Sequence, residues 1–165
     1  MCFYCGCREI PLLRDYIAEH ERVTDLGADL TKALRQDDLP TATHLLADIA
    51  AKLEDHWRGE EGGLFTAMRE EDGYAEYIDK LIEEHRELRD LMATADLATN
   101  RDRELIIAAM DELTDHIAKE EDGLFPASLT ALTGDQWERA MSAWQRAHGH
   151  DARSGQEHVR HGEFG

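Results

Sequence analysis

Cysteine is scarce and confined to one place: Cys2, Cys5 and Cys7 are the three in the chain. An odd number packed into seven residues does not make a secreted disulfide framework. In a reducing compartment such a cluster points to metal binding or to redox-active thiols. Proline is as rare, at Pro11, Pro40 and Pro126, so long stretches are free to run as helix. Basic residues are outnumbered, 18 Lys and Arg against 36 Asp and Glu, for a net charge of −18. A surface that acidic repels phosphate, which argues against nucleic acid and anionic membranes as partners, and it attracts metal cations and basic proteins. No apolar run approaches the roughly 20 residues of a bilayer-spanning helix. The first residues lack the basic region and apolar core of a signal peptide. These absences place the protein, as an expectation, in the cytoplasm.

What is there is helical periodicity. At 165 residues the chain suits one domain. Leu13, Ile17 and His20 share a face of a first helix over residues 10–36. Leu46, Ile49, Leu53, His56, Glu60 and Leu64 share a face of a second, over 41–71. Ile78, Leu81, His85, Leu88 and Met92 stripe a third, over 74–98. Ala109, Leu113, His116, Glu120 and Leu124 stripe a fourth, over 102–132, which Pro126 should kink. Thr133 and Gln136 form a capping-box pattern that opens a short helix over 134–148. The expected fold is all-α: an antiparallel up-down-up-down four-helix bundle with a short fifth C-terminal helix. The expected division is a Cys-rich arm (1–9), the bundle (10–132), the additional helix (133–149) and a polar, frayed tail (150–165).

Two segments of the second and fourth helices repeat each other. His56-Trp57-Arg58-Gly59-Glu60-Glu61-Gly62-Gly63-Leu64-Phe65 and His116-Ile117-Ala118-Lys119-Glu120-Glu121-Asp122-Gly123-Leu124-Phe125 both read His-x-x-x-Glu-Glu-x-Gly-Leu-Phe. Residues four apart on a helix lie one above the other, so each segment offers an imidazole and a carboxylate to one point. The first and third helices echo each other too, Glu19-His20 against Glu84-His85. Counting residues to the shared turns brings His20, His56, Glu60, His85, His116 and Glu120 to one height in an antiparallel bundle, about 18 Å from the second turn.

Six such side chains are too many for one tetrahedral ion and suit two. If both carboxylates bridge, each ion receives two imidazoles and two oxygens, and a solvent-derived bridge would leave an octahedral ion one open position. Imidazole suits Zn, Cu, Fe and Ni, and carboxylate-rich sites suit Mg, Ca and Mn. Two glutamates leave two ferric ions strongly positive, which favours added small anions. Ferritin-like bundles use Glu-x-x-His on two helices and Glu on the others; here the order is reversed and the other helices bring His. Tetrahedral zinc at the same residues stays open as a second reading.

The spacing His20…His56-x-x-x-Glu60…His85…His116-x-x-x-Glu120, with Leu64-Phe65 and Leu124-Phe125-Pro126 following, resembles the hemerythrin-like (HHE cation-binding) family over about residues 10–130. The resemblance implies a four-helix bundle around a non-haem centre of two iron ions, with an oxo or hydroxo bridge, that handles O₂, nitric oxide or peroxide. The alternative within the family is a sensor of oxygen, iron or redox state. The oxygen carriers of the family hold two histidines four apart on the third helix; here Leu81 and Arg89 flank His85 at that spacing. One imidazole fewer implies a more open second iron, which favours reaction with peroxide or nitric oxide over reversible oxygen transport. An electron donor or protein partner is implied by turnover or signalling. As an enzyme the chain would be a peroxide- or nitric-oxide-consuming oxidoreductase.

The remaining polar residues read less sharply. Glu61 and Glu121 sit about 100° round the helix from the site face, which predicts solvated surface first and a supporting or supplementary ligand second. Tyr16, one turn before His20, predicts core packing with a hydroxyl near the site; Leu64 and Leu124 predict an apolar wall; His44 predicts surface. Cys2, Cys5 and Cys7 have the spacing to hold a separate metal as three thiolates, with a fourth ligand from His148 or His150. Bundle arithmetic sets this arm roughly 15–18 Å from the six-residue site, where it would act as a redox reporter or protein contact.

Overall fold

The computed structural model describes residues 6–149, and every regular element within them is helical. A 3₁₀ turn, Cys7–Glu9, leads into α1 (Pro11–Arg35), α2 (Leu39–Gly62), α3 (Leu64–Arg69), α4 (Ala75–Thr94) and α5 (Asn100–Lys119). A π-helical turn (Glu120–Leu124), α6 (Phe125–Ala131) and α7 (Gly134–Ala147) complete the described chain. The arm residues 1–5 and the tail 150–165, including Cys2, Cys5 and His150, lie outside the described residues.

Local chemistry sets the ends. Pro11 enters α1 in its first turn, where its missing N–H and fixed φ cost nothing. Asp38 caps α2 by accepting from the Thr41 N–H, and Thr99 caps α5 by accepting from the Asp102 N–H. The capping box at Thr133 and Gln136 is present in both directions.

Two of the long helices depart from the uninterrupted spans that periodicity predicts. The second stops at Gly62 and resumes as α3 at Leu64. Glycine is a poor helix former, and a Cβ at Gly63 would lie 2.8 Å from the Gly59 carbonyl and 2.9 Å from that of Ala140 in α7. The break lies against α7, whose Ala140 carbonyl and Ala143 side chain crowd Gly63. The fourth is interrupted before Pro126, not at it, by the wide turn over Glu120–Leu124. Proline lacks the N–H that would bond residue 122 and its ring crowds that carbonyl; widening the preceding turn relieves both. Tyr77 closes over this turn, donating to the Lys119 carbonyl at 2.7 Å, and a Cβ at Gly123 would lie 2.9 Å from its hydroxyl oxygen.

The buried side chains form two apolar clusters. One holds Leu12, Leu13, Tyr16, Phe65, Met68, Ile78, Leu81 and Phe125. The other holds Val23, Leu30, Leu46, Ile49, Leu53, Trp57, Ile106 and Leu113. α1 and α4 meet the first cluster before the second; α2 and α5 meet the second and pass the first beyond their ends. On each helix the histidine falls between the two, so a polar layer divides the apolar interior. The amphipathic α7 packs on α2 and α3 and covers the first cluster with Trp137, Met141 and Trp144.

Candidate metal centre

The polar layer holds the six side chains named from the sequence. α1 brings His20, α2 brings His56 and Glu60, α4 brings His85, α5 brings His116, and the π turn opens with Glu120. All six are at most 5% exposed. The Nε2 atoms of His20 and His56 face each other at 3.0 Å, and those of His85 and His116 at 2.9 Å. Glu60 sets Oε1 3.1 Å from His56 and Oε2 3.7 Å from His85. Glu120 sets Oε2 3.1 Å from His20 and Oε1 3.0 Å from His116. Each carboxylate therefore spans both imidazole pairs. Two groups of donor atoms result, each within 4.8 Å: His20, His56, Glu60 and Glu120, and His85, His116 and Glu120.

These residues fit cations. All four oxygens of Glu60 and Glu120 are buried and accept no well-directed hydrogen bond. A buried carboxylate without partners is costly, and two of them side by side repel each other. Cations between the carboxylates and the Nε2 atoms resolve both problems with oxygen and nitrogen donors that suit iron or zinc.

The other ring nitrogen of each histidine shows how the site is held. His20 Nδ1 lies 3.0 Å from Glu121, His56 Nδ1 2.6 Å from Glu19, His85 Nδ1 2.9 Å from Glu61 and His116 Nδ1 2.7 Å from Glu84. A neutral imidazole that donates its Nδ1 proton to a carboxylate directs the Nε2 lone pair inward, which is the ligating tautomer. Glu61 and Glu121 are thus not solvated surface, as the 100° offset predicts. Their side chains are 31% and 14% exposed and aim at histidines on neighbouring helices. A bundle helix faces two neighbours, so a residue 100° from one contact face meets the next helix instead of water.

The contacts are crossed. Glu121 and Phe125, from the second repeat, serve His20 in the first half; the Phe125 ring lies parallel to His20 at 5.9 Å. Glu61 and Phe65, from the first repeat, serve His85; the Phe65 ring stacks on His85 at 5.5 Å. This explains why the repeat runs ten residues and not five. Its His and first Glu line its own half, and its second Glu and Phe brace the lone histidine of the other. The sequence carried this signal in the shared Glu-Glu-x-Gly-Leu-Phe, but spacing along one helix does not say which helix is the target. Leu64 and Leu124 are buried beside it, and His44 is exposed.

The four bracing carboxylates each meet a basic side chain. Glu121 pairs with Arg8 at 2.5 Å, Glu84 with Lys119 at 2.5 Å, Glu19 with His148, and Glu61 more loosely with Arg89 at 3.9 Å. Six carboxylates therefore surround the centre, not the two that ligation alone counts. Arg8, Lys119 and Arg89 offset three of the four outer charges, so the charge balance stays close to what the two inward glutamates alone give. His148, one of two candidates for a fourth ligand to the cysteines, is engaged with Glu19 and with the Trp144 carbonyl. Arg8, the residue next to Cys7, pairs with Glu121, which in turn contacts His20.

Protonation follows the same geometry. Burial opposes charge on His56 and is its largest single influence, yet the Glu60 charge and the contacts with Glu19 and Glu60 outweigh it and hold the imidazole at about 9. His116 is likewise held at about 9: burial opposes, and Glu120 and Glu84 prevail. His20 is raised well above its ordinary value by Glu120, Glu121 and Glu60 against its burial. Burial favours a neutral Glu120, but the adjacent His116 and His20 keep it well below the carboxylate range. Protons are thus held at His20, His56 and His116 when no cation is bound. Below about pH 9 a metal must displace them, so affinity falls as pH falls. Adding metal to weakly buffered protein is expected to acidify the solution, and a pH electrode reads it; uptake without proton release would contradict this account. Tyr16, kept neutral by burial and by the charges of Glu60, Glu19 and Glu120, donates to the Gly59 carbonyl at 3.3 Å and not to a histidine or carboxylate.

The family model of the hemerythrin HHE cation binding domain matches residues 12–128, which take in all six side chains. The chain belongs to that family. No curated protein and no solved structure matches it. The HHE match ends before α7, yet α7 packs on the break in α2 and carries His148 to Glu19. At position 89, Arg89 turns outward from this HHE centre, its guanidinium 5.1 Å over Trp57 and 2.8 Å from Glu54. The residues flanking His85 at that spacing, Leu81 and Arg89, supply no further donor to the centre.

Proposed function

We propose that this HHE domain holds two non-haem iron ions and binds or reduces a small oxidant, with peroxide or nitric oxide favoured over reversible oxygen carriage. The observation that carries the reading is the pair of buried carboxylates, each spanning both imidazole pairs, whose oxygens accept no well-directed hydrogen bond and face only the inward histidine nitrogens. His20, His56, His85 and His116 would be terminal ligands and Glu60 and Glu120 bridges. Iron there supplies electrons and an open coordination position to a small oxidant. The chain's own part is to fix the imidazole tautomers through Glu19, Glu61, Glu84 and Glu121, and to exclude bulk water with Phe65, Phe125, Tyr16 and Trp57. The alternation of apolar clusters along α1, α2, α4 and α5 supports an up-down-up-down bundle as the frame. The charge of −18 supports a small-molecule partner over nucleic acid or membrane. Among the described residues no helix is long and apolar enough to cross a membrane, and a cytoplasmic setting with a protein or small-molecule electron donor completes the reading.

Metal analysis with visible spectroscopy tests it. Two irons per chain and a charge-transfer absorption that shifts with azide are expected; one zinc and a featureless spectrum would end the di-iron reading. A sensor is the second reading, and the Arg8–Glu121–His20 contact favours it because it joins the cysteine arm to the centre. Steady consumption of peroxide or nitric oxide supports the enzyme. Stoichiometric binding with altered protease sensitivity of the arm supports the sensor.

A further inference from the structure

The two halves of the centre are alike in sequence and unlike in surroundings. Glu60 stands close to His56, its Oε1 at 3.1 Å, and farther from His85, its Oε2 at 3.7 Å, so the donors are more loosely gathered at His85 and His116. On that same side a cavity of about 380 Å³ lies between α4 and α5, and both His85 and His116 line it. Its apolar wall includes Trp57, Leu88, Leu91 and Ala109; its polar lining sets Glu84, Glu87, Glu112 and Asp115 against one cation, Lys119, and is acidic on balance. The comparable cavity between α1 and α5, about 330 Å³, is lined by Val23, Gly27, Ala28 and Met110 and by no histidine. Aromatic rings shield both sides: His20 lies against Phe125, His56 against the edge of Tyr16, and His85 against Phe65 and against Trp57, which lines the cavity.

We propose that a small uncharged molecule (O₂, nitric oxide or hydrogen peroxide) reaches the centre through the α4–α5 cavity and binds on the His85/His116 side. The acidic lining disfavours anions and the apolar wall accepts neutral molecules. This rests on the metal-binding reading for what is bound, but the route is a property of the chain alone and is tested without metal.

Dissolved O₂ is paramagnetic and speeds the relaxation of protons where it dwells. In the metal-free protein, the imidazole protons of His85 and His116 are expected to relax severalfold faster under O₂ than those of His20 and His56. Ala109→Phe, which fills the cavity, should remove the contrast, and Leu91→Trp should do so where Ala109→Phe fails to fold. Ala28→Phe, in the other cavity, should leave it intact. Equal relaxation at all four imidazoles, or a contrast that survives Ala109→Phe or Leu91→Trp, overturns the route. If the contrast is present and no metal binds, the functional reading fails and the route stands; if two metals bind and the contrast is absent, the reverse holds.

Discussion

Glu120→Ala is expected to leave the protein unable to retain either ion through dialysis, while Glu60→Ala retains part of its metal on the His85/His116 side. Glu120 belongs to both donor groups, its Oε2 3.1 Å from His20 and its Oε1 3.0 Å from His116. Glu60 completes the four-donor group and stands farther from His85, at 3.7 Å. Losing a ligand shared by both positions should weaken each by more than the roughly 10–100-fold of an outer-sphere loss. Elemental analysis after exhaustive dialysis measures this. Helix content by circular dichroism separates ligand loss from unfolding. The isosteric Glu120→Gln adds a control: it keeps the shape but removes the charge that faces His20 and His116 at 3.1 and 3.0 Å, so the metal-free variant should melt below the metal-free parent while keeping its helix content. A Glu120→Ala variant that keeps its full metal would refute Glu120 as the shared ligand.

The second large effect is crosswise. Glu121→Ala should weaken the group containing His20, and Glu61→Ala the group containing His85, each by roughly 10–100-fold. The milder Gln variants keep an acceptor for the Nδ1 proton and should restore part of the loss. The reason lies in the geometry: Glu121 follows a ligand of the second repeat but holds His20 of the first half at 3.0 Å, and Glu61 holds His85 at 2.9 Å. Imidazole resonances assigned by NMR during metal titration read which histidine loses its fixed tautomer. Perturbation of His116 by Glu121→Ala, with His20 unmoved, would show that the repeat braces its own half and would sink the crossed arrangement.

The cysteine arm and the outer cations mark where sequence reasoning stopped short. Cys2 and Cys5 lie outside the described residues, so the spacing of the three thiols stands as read. Arg8 beside them was silent in the sequence, because an exposed arginine next to a cysteine cluster has no periodic signature. It gains a role when the chain brings it to Glu121. His148 is similar: it is remote from the repeats along the chain and reaches Glu19 because α7 folds back over Gly59 and Gly63.

By itself the sequence determined the helices, their approximate ends and the six inward residues, for a physical reason. Helical periodicity and i, i+4 stacking are local, so His56 with Glu60 and His116 with Glu120 are fixed by the turn of one helix. His20 and His85 follow from counting to shared turns, which needs the rise per residue and nothing more. The tertiary structure alone decided what lies across the gaps between helices. It turned Glu61 and Glu121 from presumed surface into braces for the opposite half. It opened the break at Gly63 and the wide turn before Pro126, and it set a histidine-lined cavity on the His85/His116 side and none lined by histidine between α1 and α5. Those features depend on the rotation and separation of helices that meet only after folding, and no spacing along a single chain encodes either.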